Sequence, residues 1–324
     1  MEKKIIGIDL GGTSAKLAIL TPEGEIQKKW SIQTNILNEG VHIVPDIIDS
    51  IKEQLSLLNL TEESFYGIGM GTPGKVDTEN KTVIGAYNLN WSELQEVGKQ
   101  FAEAFNLPFY IDNDANVAAL GEQWKGAGNG EPNVVMFTLG TGVGGGIVLD
   151  NKLLHGVGGT AGEVGHIFVD AENSFECTCG NKGCLETVAS ATGIVNLARH
   201  YSNEFAGDST IKARIDSGDQ VTARDIFDAA KDSDPFSEHV VDMFSHYLGI
   251  ATSHIANILN PSTIVLGGGV SAAGNYLKER VEKYHRQYSF PQVRDVTKIR
   301  LATIGNDAGV IGAARLVPVD ELGE

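Results

Sequence analysis

Residues 4–20 read KIIGIDLGGTSAKLAIL, and residues 133–150 read NVVMFTLGTGVGGGIVLD. Each stretch has an apolar run, a glycine-rich turn and a second apolar run, which predicts a strand, a tight turn and a second strand. Three identities align at an offset of 129 residues: Leu10 with Leu139, Gly11 with Gly140, and Leu20 with Leu149. The shared pattern predicts that the chain is a duplication of a half-molecule.

The two glycine turns are candidate phosphate-binding loops. Because glycine has no Cβ atom, backbone N–H groups in such turns can approach a phosphate chain closely. Either turn taken alone is equally well explained by an ordinary hairpin. Two turns at matching places in a duplicated chain favour a nucleotide-binding cleft between the two halves.

Helical and strand patterns alternate after each hairpin. Helical periodicity is found over residues 41–58, 94–105, 117–124, 236–259 and 276–287. Short apolar strands are predicted over residues 66–70, 109–111 and 263–266. This alternation is typical of α/β domains with mostly parallel sheets.

The pattern predicts two domains. We expect an N-terminal α/β domain over residues 1–120, which a C-terminal helix over residues 306–324 rejoins. A C-terminal α/β domain is expected over residues 121–305, and it includes a zinc module over residues 163–186, called the metal module below. The length of 324 residues suits two domains of ordinary size, each with its own core.

The charge balance limits the partners of the chain. Its 25 Lys and Arg residues against 42 Asp and Glu residues give a net charge of −17 and a pI near 4.9. This excess of acid argues against a nucleic-acid surface, because phosphate contacts need clustered basic side chains. Neither a membrane span nor a secretion signal is found, so we expect a cytoplasmic protein with no membrane partner.

Three cysteines and a histidine have the spacing of a metal site. Cys177, Cys179 and Cys184 are all the cysteines of the sequence, and His166 precedes them closely. One imidazole and three thiolates suit tetrahedral Zn²⁺. The alternative is three free thiols beside an unrelated histidine. Four protein ligands would leave the ion no open position, so we expect a structural zinc.

Two glutamates flank this ligand set, Glu163 on one side and Glu186 on the other. Folding around the metal would carry both carboxylates with it, so that both could bind a ligand. From the sequence alone, each glutamate is more simply explained as a solvated surface charge.

Two aspartates are candidates for the chemistry of phosphoryl transfer. Asp114 lies where the strand at 109–111 meets a helix, so it is either an N-cap or a carboxylate that accepts a hydroxyl proton. We expect the helix N-terminus to lower its pKa, which phosphoryl transfer tolerates. Asp9 begins the first glycine turn, where it is either a turn-forming residue or a ligand of Mg²⁺ beside the phosphates.

The motifs of this chain resemble those of the ROK family of sugar kinases and repressors, and within it those of the bacterial ATP-dependent glucokinases. One departure is Asp112, where the family usually has glutamate. The matching segments cover nearly the whole chain in the family's order: DLGGTSAK at 9–16, DNDAN at 112–116, LGTGVGGG at 139–146, EVGH at 163–166, CTCGNKGCLE at 177–186 and LGGGVS at 266–271.

The resemblance implies an actin-like (ribonuclease H-like) fold in which two duplicated α/β domains form an interdomain cleft. It also implies phosphoryl transfer from Mg·ATP to the 6-hydroxyl of D-glucose, which gives glucose 6-phosphate in the first step of glycolysis. A homodimer is implied as well.

The same resemblance implies roles for individual residues, with Asp114 as the catalytic proton acceptor. Sugar contacts are implied for Asn88, Asn113, Asp114, Glu163, His166 and Glu186. Contacts with ATP or its Mg²⁺ are implied for Asp9, Gly11, Gly12, Thr13, Thr141, Gly142, Gly267, Gly268 and Gly269. Zinc ligation is implied for His166, Cys177, Cys179 and Cys184.

Some polar and aromatic residues of the sequence receive no functional role. Lys16 is interpreted as an ordinary surface lysine, and Trp91 as a core residue more than a site residue. The histidines outside the metal set, His155 among them, have no ligand spacing and are interpreted as structural or surface residues.

Three alternatives stay open. The first is a ROK kinase for another hexose, such as N-acetylmannosamine, N-acetylglucosamine, mannose or fructose, and polyphosphate remains an alternative donor. The second is a sugar-sensing repressor, which would need a DNA-binding segment before the first turn, although eight residues precede Asp9. The third is a chaperone-like or filament-forming ATPase, which shares the glycine turns but has no need of a zinc module.

Overall fold

The computed structural model describes residues 3–172 and 174–319. The chain divides into two units: the first comprises Met1–Gly130, Leu153–Ala161 and Asn306–Glu324, and the second comprises Glu131–Lys152 and Gly162–Gly305. The first crossing between the units comes after residue 130, beyond the predicted boundary at 120, because residue 120 lies inside a helix that ends at Lys125.

The first unit is built on a five-stranded sheet with the order β3-β2-β1-β4-β7. The central strand β1 pairs antiparallel with β2 and parallel with β4, and β4 pairs parallel with β7. Two further strands, β5 and β6, form a small antiparallel ribbon. The strands are β1 (Lys4–Leu10), β2 (Ser14–Leu20), β3 (Ile26–Gln33), β4 (Phe65–Thr72), β5 (Lys75–Asp77), β6 (Thr82–Ile84) and β7 (Phe109–Asn113).

The first unit also contains the helices α1 (Ile43–Leu57), α2 (Val97–Ala104) and α3 (Asp114–Lys125). Helix α1 buries the apolar face predicted from its period. The predicted start of the second helix at residue 94 is wrong. Helix α2 begins at Val97, and Leu94 lies before it and is 57% exposed. Its neighbour Gln95 exchanges two backbone hydrogen bonds with Val83, which keeps this part of the chain extended.

The second unit has a sheet of the same kind, with the order β10-β9-β8-β11-β12. The central strand β8 pairs antiparallel with β9 and parallel with β11, which pairs parallel with β12. The matching order and directions confirm the duplication predicted from the sequence. The strands are β8 (Val134–Leu139), β9 (Val143–Leu149), β10 (Lys152–Leu153), β11 (Thr263–Gly267) and β12 (Lys298–Leu301).

Among the residues that the structure describes, the second unit also has six α-helices: α4 (Glu186–Ala189), α5 (Ala191–Ser202), α6 (Thr210–Asp216), α7 (Ala223–Lys231), α8 (Pro235–Leu259) and α9 (Asn275–Tyr288). The long helix α8 begins at Pro235, after an N-cap whose side chain accepts the Ser237 N–H, and ends at Asn260 in the left-handed conformation. Within the described residues, no helix is both long and apolar enough to cross a membrane, α8 included.

The last helix, α10 (Ala308–Arg315), returns to the sheet of the first unit. Glycines permit this close packing, because a Cβ atom at Gly7 would collide with the carbonyl of Val310 and one at Gly69 with the carbonyl of Ala313. The helix is shorter than the predicted 306–324, since Pro318 disfavours helical geometry just after it. The predicted residues 320–324 lie outside the described residues.

Candidate functional site

The first glycine turn joins β1 to β2. The Gly11 N–H donates to the Ser14 carbonyl at 3.0 Å, which closes the turn. Thr34, which follows β3, makes two hydrogen bonds with this turn. Its hydroxyl donates to the Gly11 carbonyl at 2.7 Å, and its N–H donates to the Thr13 carbonyl at 3.0 Å. The Thr13 side chain itself is exposed, so its hydroxyl is free to meet a ligand.

Asp9 and Lys16 face each other at the base of this turn. They are register partners across β1 and β2, and Lys16 Nζ lies 3.1 Å from Asp9 Oδ2. The carboxylate also packs directly on Gly309 of α10, where a Cβ atom would collide with it. The structure therefore places at the turn a lysine that the sequence left without a role. The signal that could have found it is the hairpin register, which puts opposite charges side by side.

Two predicted sugar-binding asparagines lie near the first turn and at the end of β7. A Cβ atom on Gly12 would stand 3.2 Å from the Asn88 carbonyl oxygen, so Asn88 packs against the turn. Asn113 is the N-cap of α3, with Oδ1 accepting the Ala115 N–H at 2.9 Å. Its Nδ2 donates to the Gly74 carbonyl at 3.2 Å. These bonds hold the Asn113 amide in one orientation.

Asp114 is the first residue of α3, half-buried, and its Oδ1 also accepts the Ala115 N–H at 2.9 Å. The N-cap role considered for it belongs to Asn113 instead. Burial raises the pKa of Asp114, the Ala115 N–H lowers it less, and the negative charge of Asp9 raises it further. The expected lowering is therefore wrong, because desolvation outweighs the helix N-terminus. A carboxylate with a raised pKa is a better proton acceptor.

A histidine that the sequence left without a role, His155, lies beside Asp112 near the end of β7. His155 Nε2 lies 2.6 Å from Oδ2 of Asp112, the residue just before Asn113. The hydrogen bond with Asp112 raises the pKa of His155 against the opposing effect of burial. No local pattern predicts this contact, since the two residues are 43 positions apart.

The second glycine turn joins β8 to β9. The Gly140 N–H donates to the Gly142 carbonyl at 3.0 Å. The Glu186 carboxylate reaches this turn, and its Oε2 accepts the Val143 N–H at 3.0 Å. A Cβ atom at Gly142 would collide with the same oxygen. The predicted sugar-binding glutamate is therefore also a structural partner of the predicted phosphate turn.

A cavity of about 730 Å³ opens beside the second turn, lined in part by Gly140, Thr141, Phe227, Arg224, Lys231 and Gly269. A third group of glycines, residues 267–269, lies at the end of β11. Gly269 lines the cavity, whereas Gly268 has a φ of +80° and packs on β8. A Cβ atom there would stand 2.5 Å from the Leu139 carbonyl oxygen. An open loop beside an aromatic ring and basic side chains can take a nucleotide.

The four predicted zinc ligands converge, with their ligating atoms all within 4.8 Å of one another. His166 Nδ1 lies 3.5 Å from Cys177 Sγ, and Cys179 Sγ lies 3.7 Å from Cys184 Sγ. The latter distance matches the separation of roughly 3.8 Å between two sulfurs of a tetrahedral site with Zn–S bonds of about 2.3 Å.

The electrostatics of the thiols also fit a metal. Burial and the neighbouring thiols raise the pKa of Cys184 to about 12, which makes three adjacent thiolates unfavourable without a cation. The three cysteines are free, and no disulfide competes for them. The donor set therefore fits a structural Zn²⁺ with His166 bound through Nδ1.

The two flanking glutamates lie next to this ligand set. Glu163 Oε2 is 3.9 Å from His166 Nε2, the ring nitrogen that faces away from the thiols, and the Glu163 side chain is 63% exposed. Glu186 Oε1 is 3.9 Å from Cys177 Sγ and accepts the Thr178 hydroxyl at 3.3 Å. The metal module thus carries Glu163, the outer face of His166 and Glu186 on one rigid piece of the second unit.

The duplicated sheets, each opening with a glycine hairpin, define the actin-like class of sugar kinase folds. The chain belongs to the ROK family, whose model matches residues 5–319. It is 46% identical to a glucokinase of Halalkalibacterium halodurans, over 99% of this chain and 96% of that protein. A xylose repressor of Caldicellulosiruptor bescii is 31% identical, over 98% of this chain and 79% of the repressor.

A solved structure extends the comparison. The ROK family glucokinase of Streptomyces griseus, in complex with glucose and AMPPNP, matches with a TM-score of 0.72 and 30% identity. The match covers 97% of this chain and 98% of that one.

Proposed function

We propose that this chain is an ATP-dependent glucokinase that phosphorylates the 6-hydroxyl of D-glucose to give glucose 6-phosphate. The observation that carries the proposal is the 46% identity with the Halalkalibacterium glucokinase over 99% of the chain. The glucose and AMPPNP bound to the Streptomyces griseus protein, similar over 97% of the chain, support the same substrates.

In this proposal, the second unit binds the nucleotide. The adenosine occupies the cavity beside Gly269 and Phe227, where an aromatic ring can contact a base. The backbone N–H groups and Thr141 of the second turn hold phosphate oxygens without needing a basic protein.

The first unit supplies the reacting carboxylate. Asp114 orients the 6-hydroxyl of the sugar and accepts its proton as that oxygen attacks the γ-phosphorus. Asn113 and Asn88 contact the sugar, since their amides are held beside Asp114 and Gly12. Asp9 would hold Mg²⁺, which neutralises phosphate charge, and Lys16 is placed to add a positive charge at the same turn.

The metal module contributes recognition. Zn²⁺ held by four protein ligands has a structural role and no open position for water. Glu163, His166 Nε2 and Glu186 would accept and donate hydrogen bonds to sugar hydroxyls. The ring of His166 then joins the metal and the sugar through its two nitrogens.

A coupled assay of ADP release tests the proposal with ATP across a panel of hexoses, and an assay of sugar phosphate formation measures turnover with polyphosphate, which releases no ADP. The panel contains glucose, mannose, fructose, N-acetylglucosamine and N-acetylmannosamine, each with ATP and with polyphosphate. We expect the highest kcat/KM for glucose with ATP. A tenfold higher value for another hexose would contradict glucose as the substrate and retain the kinase.

A sugar-sensing regulator is the second candidate, favoured by the similarity to the Caldicellulosiruptor xylose repressor over 98% of the chain. Calorimetry separates it from a kinase, because a regulator binds its sugar without turnover. Glucose binding with neither ADP release nor sugar phosphate formation across the panel would favour the regulator.

The proposal includes a homodimer in the cytoplasm, as the family resemblance implies. The three free thiols suit a reducing compartment. Light scattering on the purified chain measures the oligomeric state, and a monomer at assay concentration would contradict the dimer.

A further inference from the structure

The end of β7 is organised around one buried carboxylate. Asp112 is 2% exposed, and its Oδ1 accepts two hydrogen bonds, from the Asn113 N–H at 2.7 Å and from Asn116 Nδ2 at 2.8 Å. These two donors bracket Asp114 in the sequence. The position of the Asp112 carboxylate therefore determines the shape of the turn that presents Asp114.

The other oxygen of Asp112 is held by His155. His155 Nε2 lies 2.6 Å from Asp112 Oδ2, and the histidine side chain is 34% exposed while that of Asp112 is 3% exposed. A protonated ring donates a charge-assisted hydrogen bond, which is short and strong. Without this donor, a buried carboxylate would lack a partner on one oxygen, which is costly.

His155 lies in a glycine-rich segment that begins at the end of β10. We call residues 153–161, sequence LLHGVGGTA, the glycine strap. Gly156 and Gly159 have φ angles of +68° and +70°, and Val157 is fully exposed. The strap belongs to the first unit, although the chain before and after it belongs to the second. The hydrogen bond between His155 and Asp112 anchors the strap.

The strap leads directly to a predicted sugar contact. Glu163 follows the end of the strap by two residues in the sequence. The pair of His155 and Asp112 joins the turn of Asp114 to the strap within the first unit.

We propose that His155 is a positioning residue for phosphoryl transfer, which it serves by donating from Nε2 to Asp112 and so fixing both the Asp114 turn and the glycine strap. This inference rests on the proposed role of Asp114. His155 does not touch the reacting atoms in this proposal, and it acts through Asp112.

Two substitutions of His155 separate its hydrogen bond from its volume. His155→Leu removes the donor, whereas His155→Gln retains an amide donor near the position of Nε2. The control is His42→Leu, which changes an exposed histidine of the same unit. The readouts are kcat, KM for glucose, KM for ATP, and deuterium uptake of peptides that cover residues 109–117 and 153–161.

We expect His155→Leu to lower kcat/KM for glucose at least tenfold, to leave KM for ATP within twofold, and to speed deuterium uptake in both peptides. His155→Gln should recover kcat/KM to within threefold of the wild type, and His42→Leu should match the wild type. Wild-type kinetics and uptake in His155→Leu would overturn the proposal. So would an equal loss in the Leu and Gln variants.

If His155→Leu does not fold, a substitution of Asp112 tests the same hydrogen bond. Asp112→Asn keeps an oxygen for the Asn113 and Asn116 donors and removes the charge that faces His155. Its expected effect is a similar fall in kcat/KM for glucose, and full activity in Asp112→Asn would overturn the proposal. A wild type without sugar kinase activity would instead overturn the proposed function, while the deuterium uptake still tests the anchor.

Discussion

The two glycine turns have the same topology but obtain their charged groups differently. In the first turn, Asp9 and Lys16 come from the two strands of the hairpin itself and meet at 3.1 Å. In the second, strands β8 and β9 carry no charged side chain. The carboxylate there comes from Glu186, which lies 43 residues beyond Val143 and bonds its N–H.

The charged groups of the first turn therefore come from its own hairpin, whereas the carboxylate at the second turn comes from the metal module. Disturbing the module should therefore reach the second turn and spare the first. The sequence offers a reporter for this, because its three tryptophans, Trp30, Trp91 and Trp124, all belong to the first unit.

The largest effect is expected in the first unit, from Asp114→Asn. Loss of the proton acceptor should lower kcat by about 10³-fold, within the range typical of general bases. Calorimetry should find glucose binding within a few-fold of the wild type, because Asn is isosteric and the Asn113 amide is unchanged. Turnover within tenfold of the wild type would remove Asp114 from its assigned role.

The second largest effect is expected from a substitution in the metal module, which tests whether the second turn depends on that module. Cys184→Ser should abolish stoichiometric zinc and lower kcat/KM by roughly 100-fold, because Glu186 loses its rigid support. Metal analysis and the coupled assay measure both. Tryptophan fluorescence should remain that of the wild type, and a change in it would contradict the independence of the first unit.

Metal analysis of the wild type serves as the control for this experiment. We expect one zinc per chain. If the wild-type protein holds no zinc, the structural zinc proposed for the four ligands is wrong.

A matched pair of glycine substitutions compares the two turns directly. Gly142→Ala forces the Glu186 carboxylate off the Val143 N–H, so we expect KM for ATP to rise about tenfold. Gly12→Ala places its Cβ atom 3.2 Å from the Asn88 carbonyl, which a small shift can relieve, so its kinetics should change less than about threefold. Equal effects of the two substitutions would show that both turns are supported alike.

The smallest effect is a pH dependence of stability. The pKa of Asp114 is raised by burial, so its ionised form destabilises the fold above that pKa. Asp114→Asn should therefore melt higher than the wild type by a few degrees near neutral pH, and this gain should vanish as pH falls toward the ordinary pKa of the carboxyl group. Thermal melts from about pH 4.5 to 7.5 measure it.

Asp77 provides a control of the opposite sign in the same unit. Hydrogen bonds from Asn80 lower the pKa of Asp77, so its ionised form stabilises the fold, and this contribution is lost as pH falls through the lowered pKa. Asp77→Asn should melt lower than the wild type near neutral pH. If both variants shift the melting temperature in the same direction, the pKa of Asp114 does not have the assigned sign.

Much of the fold was predictable because burial follows periodicity. The face of α1, the length of α8 and the two hairpins follow directly from the spacing of apolar residues. The segment around Leu94 failed because a backbone pairing between Gln95 and Val83 competes with the helix. Such pairing depends on a distant strand, which no local period reports.

The site was predictable in its residue types and less so in its electrostatics. The four metal ligands converge as their spacing predicts. The pKa of Asp114 rises where the helix N-terminus alone would lower it, because burial is a property of the whole unit. Lys16 was recoverable from hairpin register, whereas the contact of His155 with Asp112 was not.

The sequence by itself determined the duplicated α/β class, the glycine turns, the ligand set and the family, because each is written in local spacing or in short motifs. The tertiary structure alone decided which oxygen each of two side chains bonds: that Glu186 supports the second turn and that His155 holds Asp112. Such contacts join positions far apart in the chain. They exist because a folded core brings those positions together and excludes water from between them.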